Sequence, residues 1–292
     1  IVKIKIMKIN RIITFIYIFS ISCFIQSSQI EKATYALWDK PDVDLLYVLP
    51  EQINSDTRIL FIMHGGSRDA ERYITYWLDA AKDKNVILVA PHFTKKNFPY
   101  YQTLGMATFS GKVINDKRLW LTDSISSFFA YFKNKYNLKH NKYLMFGFSG
   151  GTQFIHRYLM YGEDMAIDKA AIGSAGWYTF INNEKFPYGI KNMPPKKGRI
   201  EWLMSKEILF LLGDKDNDPN HSSLNKSRGA KKQGKHRLDR GNGYFENLIY
   251  IGNQFNVPFR WRYQIINGLD HNTKGMSEAA TEFLLNDLNY QN

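Results

Sequence analysis

Gly147-Phe148-Ser149-Gly150-Gly151 follows directly on the apolar run Tyr143-Leu144-Met145-Phe146, and Thr152 to Tyr161 reads as a helix. Strand, sharp turn and helix therefore meet at a serine. A turn that tight forces its central residue into a strained backbone conformation, which flanking glycines permit, and lifts the hydroxyl clear of the sheet. Ser149 is the candidate nucleophile. A serine hydroxyl is weak alone and needs a base, an orienting acid and a site for the developing oxyanion. His271, in Gly268-Leu269-Asp270-His271 after the strand-like run Phe259 to Ile266, has the near-neutral pKa that suits proton shuttling. The acid candidates lie in Gly213-Asp214-Lys215-Asp216-Asn217-Asp218, after the buried-strand run Glu207 to Leu212. A carboxylate there would hold the histidine tautomer and stabilise its imidazolium. Upstream, Ile59 to Met63 ends in His64-Gly65-Gly66. Backbone amides of Gly65 and Gly66, with that of Gly150, would form the oxyanion hole.

These groups need a frame that brings them together. A chain of 292 residues with 44% apolar and 15% aromatic content is sized for one α/β domain with a well-packed core, here residues 29–292. Periodicity predicts strands near 44–49, 58–63, 86–90, 142–148, 169–174, 207–212 and 259–266. It predicts helices near 70–83, 121–136, 151–161, 243–255 and 274–288. Strands alternating with helices imply right-handed crossovers and a mostly parallel central sheet flanked by helices on both faces. Every candidate above sits at the carboxyl end of a predicted strand, where an open α/β sheet places its ligands.

The motifs in this order, an HG-type loop, a G-x-S-x-G elbow, an acid after a late strand and a histidine after the last, resemble the α/β-hydrolase family over roughly residues 35–290. The resemblance implies a serine hydrolase of α/β-hydrolase fold that cleaves a carboxylic ester through an acyl-enzyme. It also implies Asp216 as the acid, three residues beyond the glycine closing the strand, with Asp218 as the alternative and Asp214 too close to the strand end. His64 would order the oxyanion loop without joining the proton chemistry. Insertions are expected near 177–200 and 219–242. Trp177 and Tyr178, like Phe98, Tyr100 and Tyr101, read equally as pocket lining or core. Gly241-Asn242-Gly243 reads as the cap of a helix starting at Tyr244.

Lys3, Lys5, Lys8 and Arg11 precede the apolar stretch Ile12 to Ile21, the form of an export leader over residues 1–28, with Met7 as a start. An extracytoplasmic protein is expected, secreted, periplasmic or attached to a membrane surface. The only cysteine, Cys23, has two readings: the lipidated first residue of a lipoprotein, or part of a segment that signal peptidase removes. Without a second cysteine no internal disulfide can form. Net charge is +12, and +8 from Cys23 onward. Residues 220–242 hold seven basic side chains against one acidic, Asp239, a local balance of +6. Such a run is usually a solvated face; the alternative is a rim that attracts an anionic substrate, such as an acylated acidic polysaccharide.

The sequence has no H-E-x-x-H, no cysteine pair, no G-x-x-x-x-G-K-[ST] and no dinucleotide-type glycine motif after a strand. No metal, organic cofactor or nucleic-acid partner is expected; the partner is a small-molecule or carbohydrate ester. Two other readings remain, a serine peptidase or amidase on the same constellation, and a non-catalytic binding protein retaining the scaffold.

Overall fold

The computed structural model describes residues 29–164 and 166–290; the leader and Cys23 lie outside the described residues. Eight strands form one sheet: β1 (Glu31–Tyr35), β2 (Val43–Val48), β3 (Arg58–Met63), β4 (Val86–His92), β5 (Tyr143–Phe148), β6 (Ile167–Gly173), β7 (Glu207–Gly213) and β8 (Trp261–Ile266), in the order β1-β2-β4-β3-β5-β6-β7-β8. β1 and β2 pair antiparallel, as do β2 and β4, and the other neighbours are parallel. The mostly parallel sheet that the strand and helix pattern implies is present, and the architecture is the α/β-hydrolase one that the motif resemblance implies.

Strand periodicity sorts side chains into two cores. Ile59, Phe61 and Met63 of β3, Tyr143 and Met145 of β5, and Ile208, Phe210 and Leu212 of β7 enter one; Leu60 and Ile62, Leu144 and Phe146, and Leu209 and Leu211 enter the other. The central strands are apolar at consecutive positions because both faces are covered. The first core is closed by α3 (Ser124–Tyr136), α4 (Gly150–Tyr161), α5 (Arg199–Met204) and α7 (Arg237–Phe255), the second by α1 (Ala70–Thr75), α2 (Leu78–Ala81) and α8 (Thr273–Leu285). Each fully buried aliphatic or aromatic contributes about 1.5–3 kcal/mol relative to exposure.

Several elements differ from the sequence expectation. β1 lacks an apolar run, since Glu31 and Lys32 are exposed on an edge strand. The helix expected over 70–83 is two short helices, broken where Trp77 turns fully inward. The five-residue helix α6 (Arg228–Lys232), absent from the sequence expectation, lies within residues 219–242. Gly241-Asn242-Gly243 caps nothing; α7 runs through it. A Cβ on Gly241 would lie 2.5 Å from Leu212 Cδ2, so the missing side chain lets α7 close onto β7. Trp177, Tyr178, Phe98 and Tyr101 are buried core residues, whereas Tyr100 is half-buried against Phe109.

Candidate active site

β3 lies between β4 and β5, so the chain moves outward from it in both directions. At such a switch point the loops beyond the strand ends leave a crevice. β5 delivers Ser149 to this crevice with φ 55° and ψ −112°, a left-handed conformation unusual for a residue other than glycine. Its surroundings impose that geometry. A Cβ on Gly147 would lie 2.7 Å from the Gly151 backbone, and one on Gly151 would collide with the carbonyl oxygen of Met63. Glycine at both positions lets α4 start against β3 and β5. The Ser149 N–H donates to the Gly173 carbonyl at 3.0 Å, and the buried Thr152 hydroxyl accepts from the Gly173 N–H at 2.8 Å, tying the elbow to β6.

The loop after β8 brings His271 to the serine. Its Nε2 lies 3.0 Å from Ser149 Oγ, and its Nδ1 lies 2.8 Å from Asp216 Oδ2. An ionised carboxylate only accepts, so Nδ1 carries the proton and Nε2 is free to accept from the serine. Of the three aspartates, Asp216 alone meets His271. Asp214 Oδ1 accepts from the Gly268 N–H at 2.7 Å, a long-range bond to the loop after β8, and exposed Asp218 accepts from the Asn220 N–H at 2.7 Å, the local turn chemistry that Asp favours. Burial pushes the Asp216 carboxyl upward, but hydrogen bonding to His271 and the charges of His271 and Arg237 outweigh it and hold the group below its usual range. Burial holds His271 below its ordinary value although Asp216 opposes the shift.

Gly66 and Gly150 both line the cleft beside Ser149, and Gly150 is pressed so closely on the loop after β3 that its Cβ would lie 2.7 Å from Gly66 N. Gly150 opens α4, where the first N–H groups have no intrahelical acceptor. Gly65 lies deeper; its carbonyl accepts from the Arg68 N–H at 3.1 Å, and it turns the chain past the Tyr73 hydroxyl. Fully buried His64 accepts the Phe93 N–H at Nε2, 3.1 Å away, which puts its proton on Nδ1, facing the Gly65 carbonyl at 3.1 Å. Burial drives its pKa down to about 3, with the Arg68 charge adding to the effect, so the ring is a neutral brace under the loop.

The cleft encloses about 570 Å³. Gln153, one helical turn beyond Ser149, is only 7% exposed, yet its Oε1 has no hydrogen-bond partner. Gln102 faces the same space, its Oε1 accepting from Arg68 at 3.3 Å. Arg72 and Lys274 are the charged side chains of the lining beside His271, and no carboxylate belongs to it. Both cations are at least half exposed, in surface pairs with Asp69 and Glu278. None of Gln102, Gln153, Arg72 and Lys274 stands in a motif, and only their long-range placement marks them.

The basic run after Asp216 is of two kinds. Lys226, Arg228, Lys231, Lys232 and Lys235 are exposed, whereas Arg237 and Arg240 are 1% exposed. Arg240 donates to the carbonyls of Gly176, Asn225 and Gly234, and Arg237 faces Asp216. Among the described residues no group of three or more His, Cys, Asp or Glu side chains is placed to hold a metal ion, and no helix is long and apolar enough to cross a membrane.

No protein-family model matches the sequence, and no curated protein does. Solved structures do. Poly(aspartic acid) hydrolase-1 from Sphingomonas sp. KT-1 is 28% identical, with a TM-score of 0.82 over 88% of this chain and 99% of that one. LpqC, a poly(3-hydroxybutyrate) depolymerase from Bordetella parapertussis, is 22% identical, with a TM-score of 0.81 over 90% and 92%. The siderophore hydrolase EstB from Aspergillus nidulans shares the fold more distantly, at 12% identity and a TM-score of 0.56 over 92% and 98%.

Proposed function

We propose that this chain, an α/β-hydrolase and a hydrolytic enzyme, cleaves carboxylic esters through Ser149, His271 and Asp216. The observation that carries the reading is the unbroken line of hydrogen bonds from Ser149 Oγ through the imidazole to Asp216, 3.0 and 2.8 Å long. His271 Nε2 takes the hydroxyl proton as Oγ attacks the ester carbonyl. The amides of Gly66 and Gly150 receive the oxyanion. Asp216 holds the Nδ1–H tautomer and stabilises the imidazolium, which then protonates the departing alkoxide. Water, deprotonated by the same nitrogen, hydrolyses the acyl-enzyme and frees Ser149.

The lining points to a polar, anionic ester. Arg72 and Lys274 put positive charge on a lining that holds no carboxylate, their surface partners Asp69 and Glu278 lying outside it, and Gln153, whose Oε1 has no partner, offers a polar group beside Ser149. An acid-bearing or carbohydrate ester fits both features. Amide cleavage is the second reading, because one structural neighbour is named for poly(aspartic acid), a polyamide of carboxylate-bearing units. Residues 1–28 act as an export leader that ends in cleavage or in lipidation of Cys23, and place the hydrolase outside the cytoplasm.

Ester and amide substrates, each in neutral and carboxylate-bearing forms, run with the wild type and Ser149→Ala, test the reading. Turnover of the anionic esters that vanishes in the variant is the expected result. Equal turnover in a folded Ser149→Ala protein, or none in the wild type, would refute it.

A further inference from the structure

The acid of the hydrogen-bonded line has a second partner that the proposed chemistry does not require. Arg237 Nη1 lies 3.2 Å from Asp216 Oδ1, the oxygen that His271 does not use, and the two side chains are 1% and 3% exposed. Nη2 donates to Ser223 Oγ at 2.8 Å and lies 3.4 Å from His221 Nδ1, while the buried Nε has no partner. Arg237 opens α7, and the next residue's N–H donates to the Asp216 carbonyl at 3.2 Å. One turn of one helix thus grips Asp216 by backbone and by side chain.

We propose that Arg237 is a positioning residue: it fixes the Asp216 carboxylate for His271 and, through Ser223, locks the acid to the rim of the cleft. Ser223 and Asn225 belong to that rim, so substrate-facing groups and the acid share one anchor. An arginine buried beside a carboxylate is costly unless both are paired, and here Arg237 and Asp216 pair, with His271 and Ser223 as further partners and Arg237 Nε left unpartnered. The guanidinium also sets the electrostatics. Around His271 stand Asp216 from the loop after β7, Arg237 from α7, and His221, whose ring centroid lies 5.4 Å away. Asp216 favours the imidazolium, and Arg237 and His221 oppose it. Removing the Arg237 charge therefore raises the His271 pKa and moves the acidic limb of activity to higher pH.

This inference rests on the proposed triad, and the experiment separates the two. Arg237→Met and Arg237→Lys are compared with the wild type by thermal unfolding, by the pH profile of kcat/KM on an ester that the wild type cleaves, and by NMR titration of the His271 imidazole. The NMR readout needs no turnover. Arg237→Met is expected to lose at least tenfold in kcat, with KM changed less, and to titrate His271 at higher pH. Arg237→Lys, which keeps the charge but not the two-pronged grip, is expected to keep the wild-type titration while recovering part of kcat. Should Arg237→Met not fold, Arg237→Gln, a neutral amide in the same space, is read in its place. A folded neutral variant whose His271 titrates as in the wild type overturns the inference even if no ester is cleaved. Wild-type activity with unchanged kcat in that variant overturns it while leaving the triad intact.

Discussion

The elbow at β5–α4 and the acid-bearing segment 213–240 hold opposite ends of one hydrogen-bonded line, yet they are built differently. At the elbow the constraint is steric and falls on residues close in sequence: Gly147 and Gly151 admit a backbone crossing that any side chain would block, and Ser149 is pinned between them. At the acid the constraint is distant. Asp216 is held by His271, 55 residues away, and by Arg237, 21 residues away, within a segment of turns and short helices. Local steric constraint leaves a motif in the sequence, and long-range ion pairing leaves none.

The sharpest way to break the comparison is at its ends. Ser149→Ala is expected to abolish ester turnover, a loss of about 10³-fold or more. Asp216→Asn should cost about 10³- to 10⁴-fold in kcat, as loss of the orienting carboxylate does in related constellations. Asp218→Asn, altering only an exposed turn, should stay within about twofold. Comparable losses in both aspartate variants, measured by steady-state kinetics, would dissolve the assignment of one acid.

Packing at the elbow gives the next effect. Gly151→Ala drives a methyl into the Met63 carbonyl and should destabilise the fold by about 1–3 kcal/mol, read by chemical denaturation. The pH dependence follows from His271. Its pKa lies below the ordinary histidine value, so the neutral, accepting ring persists to lower pH than in a free imidazole. Activity should therefore fall only below about pH 6.5, the unperturbed value, as the ring protonates. A limb above that value in the wild type would contradict the burial argument.

The smallest effects concern α7. Gly243 has room for a methyl 3.8 Å from Phe180, so Gly243→Ala should stabilise by about 0.5–1 kcal/mol through helix propensity. Gly241→Ala meets Leu212 and should destabilise. Melting curves that moved the same way for both would undo the close-approach explanation.

The same contrast governs what was legible. Buried parallel strands announce themselves as apolar runs, and the G-x-S-x-G elbow announces itself because sterics admit only glycine at Gly147 and Gly151. Asp216 emerged from its neighbours only through the spacing of a resembled family. Arg237 and Arg240 hid in a basic run that composition assigns to solvent, because only the tertiary structure supplies their buried acceptors. The edge strand β1 lacks the continuous apolar run that burial on both faces imposes on inner strands. Gly241 in α7 resembled a cap because a glycine needed for close packing cannot be told from one needed for termination.

The most direct measurement is covalent labelling with a fluorophosphonate followed by peptide mass spectrometry. One adduct on the peptide bearing Ser149 is expected in the wild type, with none in Ser149→Ala and a rate reduced by orders of magnitude in His271→Ala. No adduct on a folded wild type, or an adduct that persists elsewhere when Ser149 is replaced, would contradict the account.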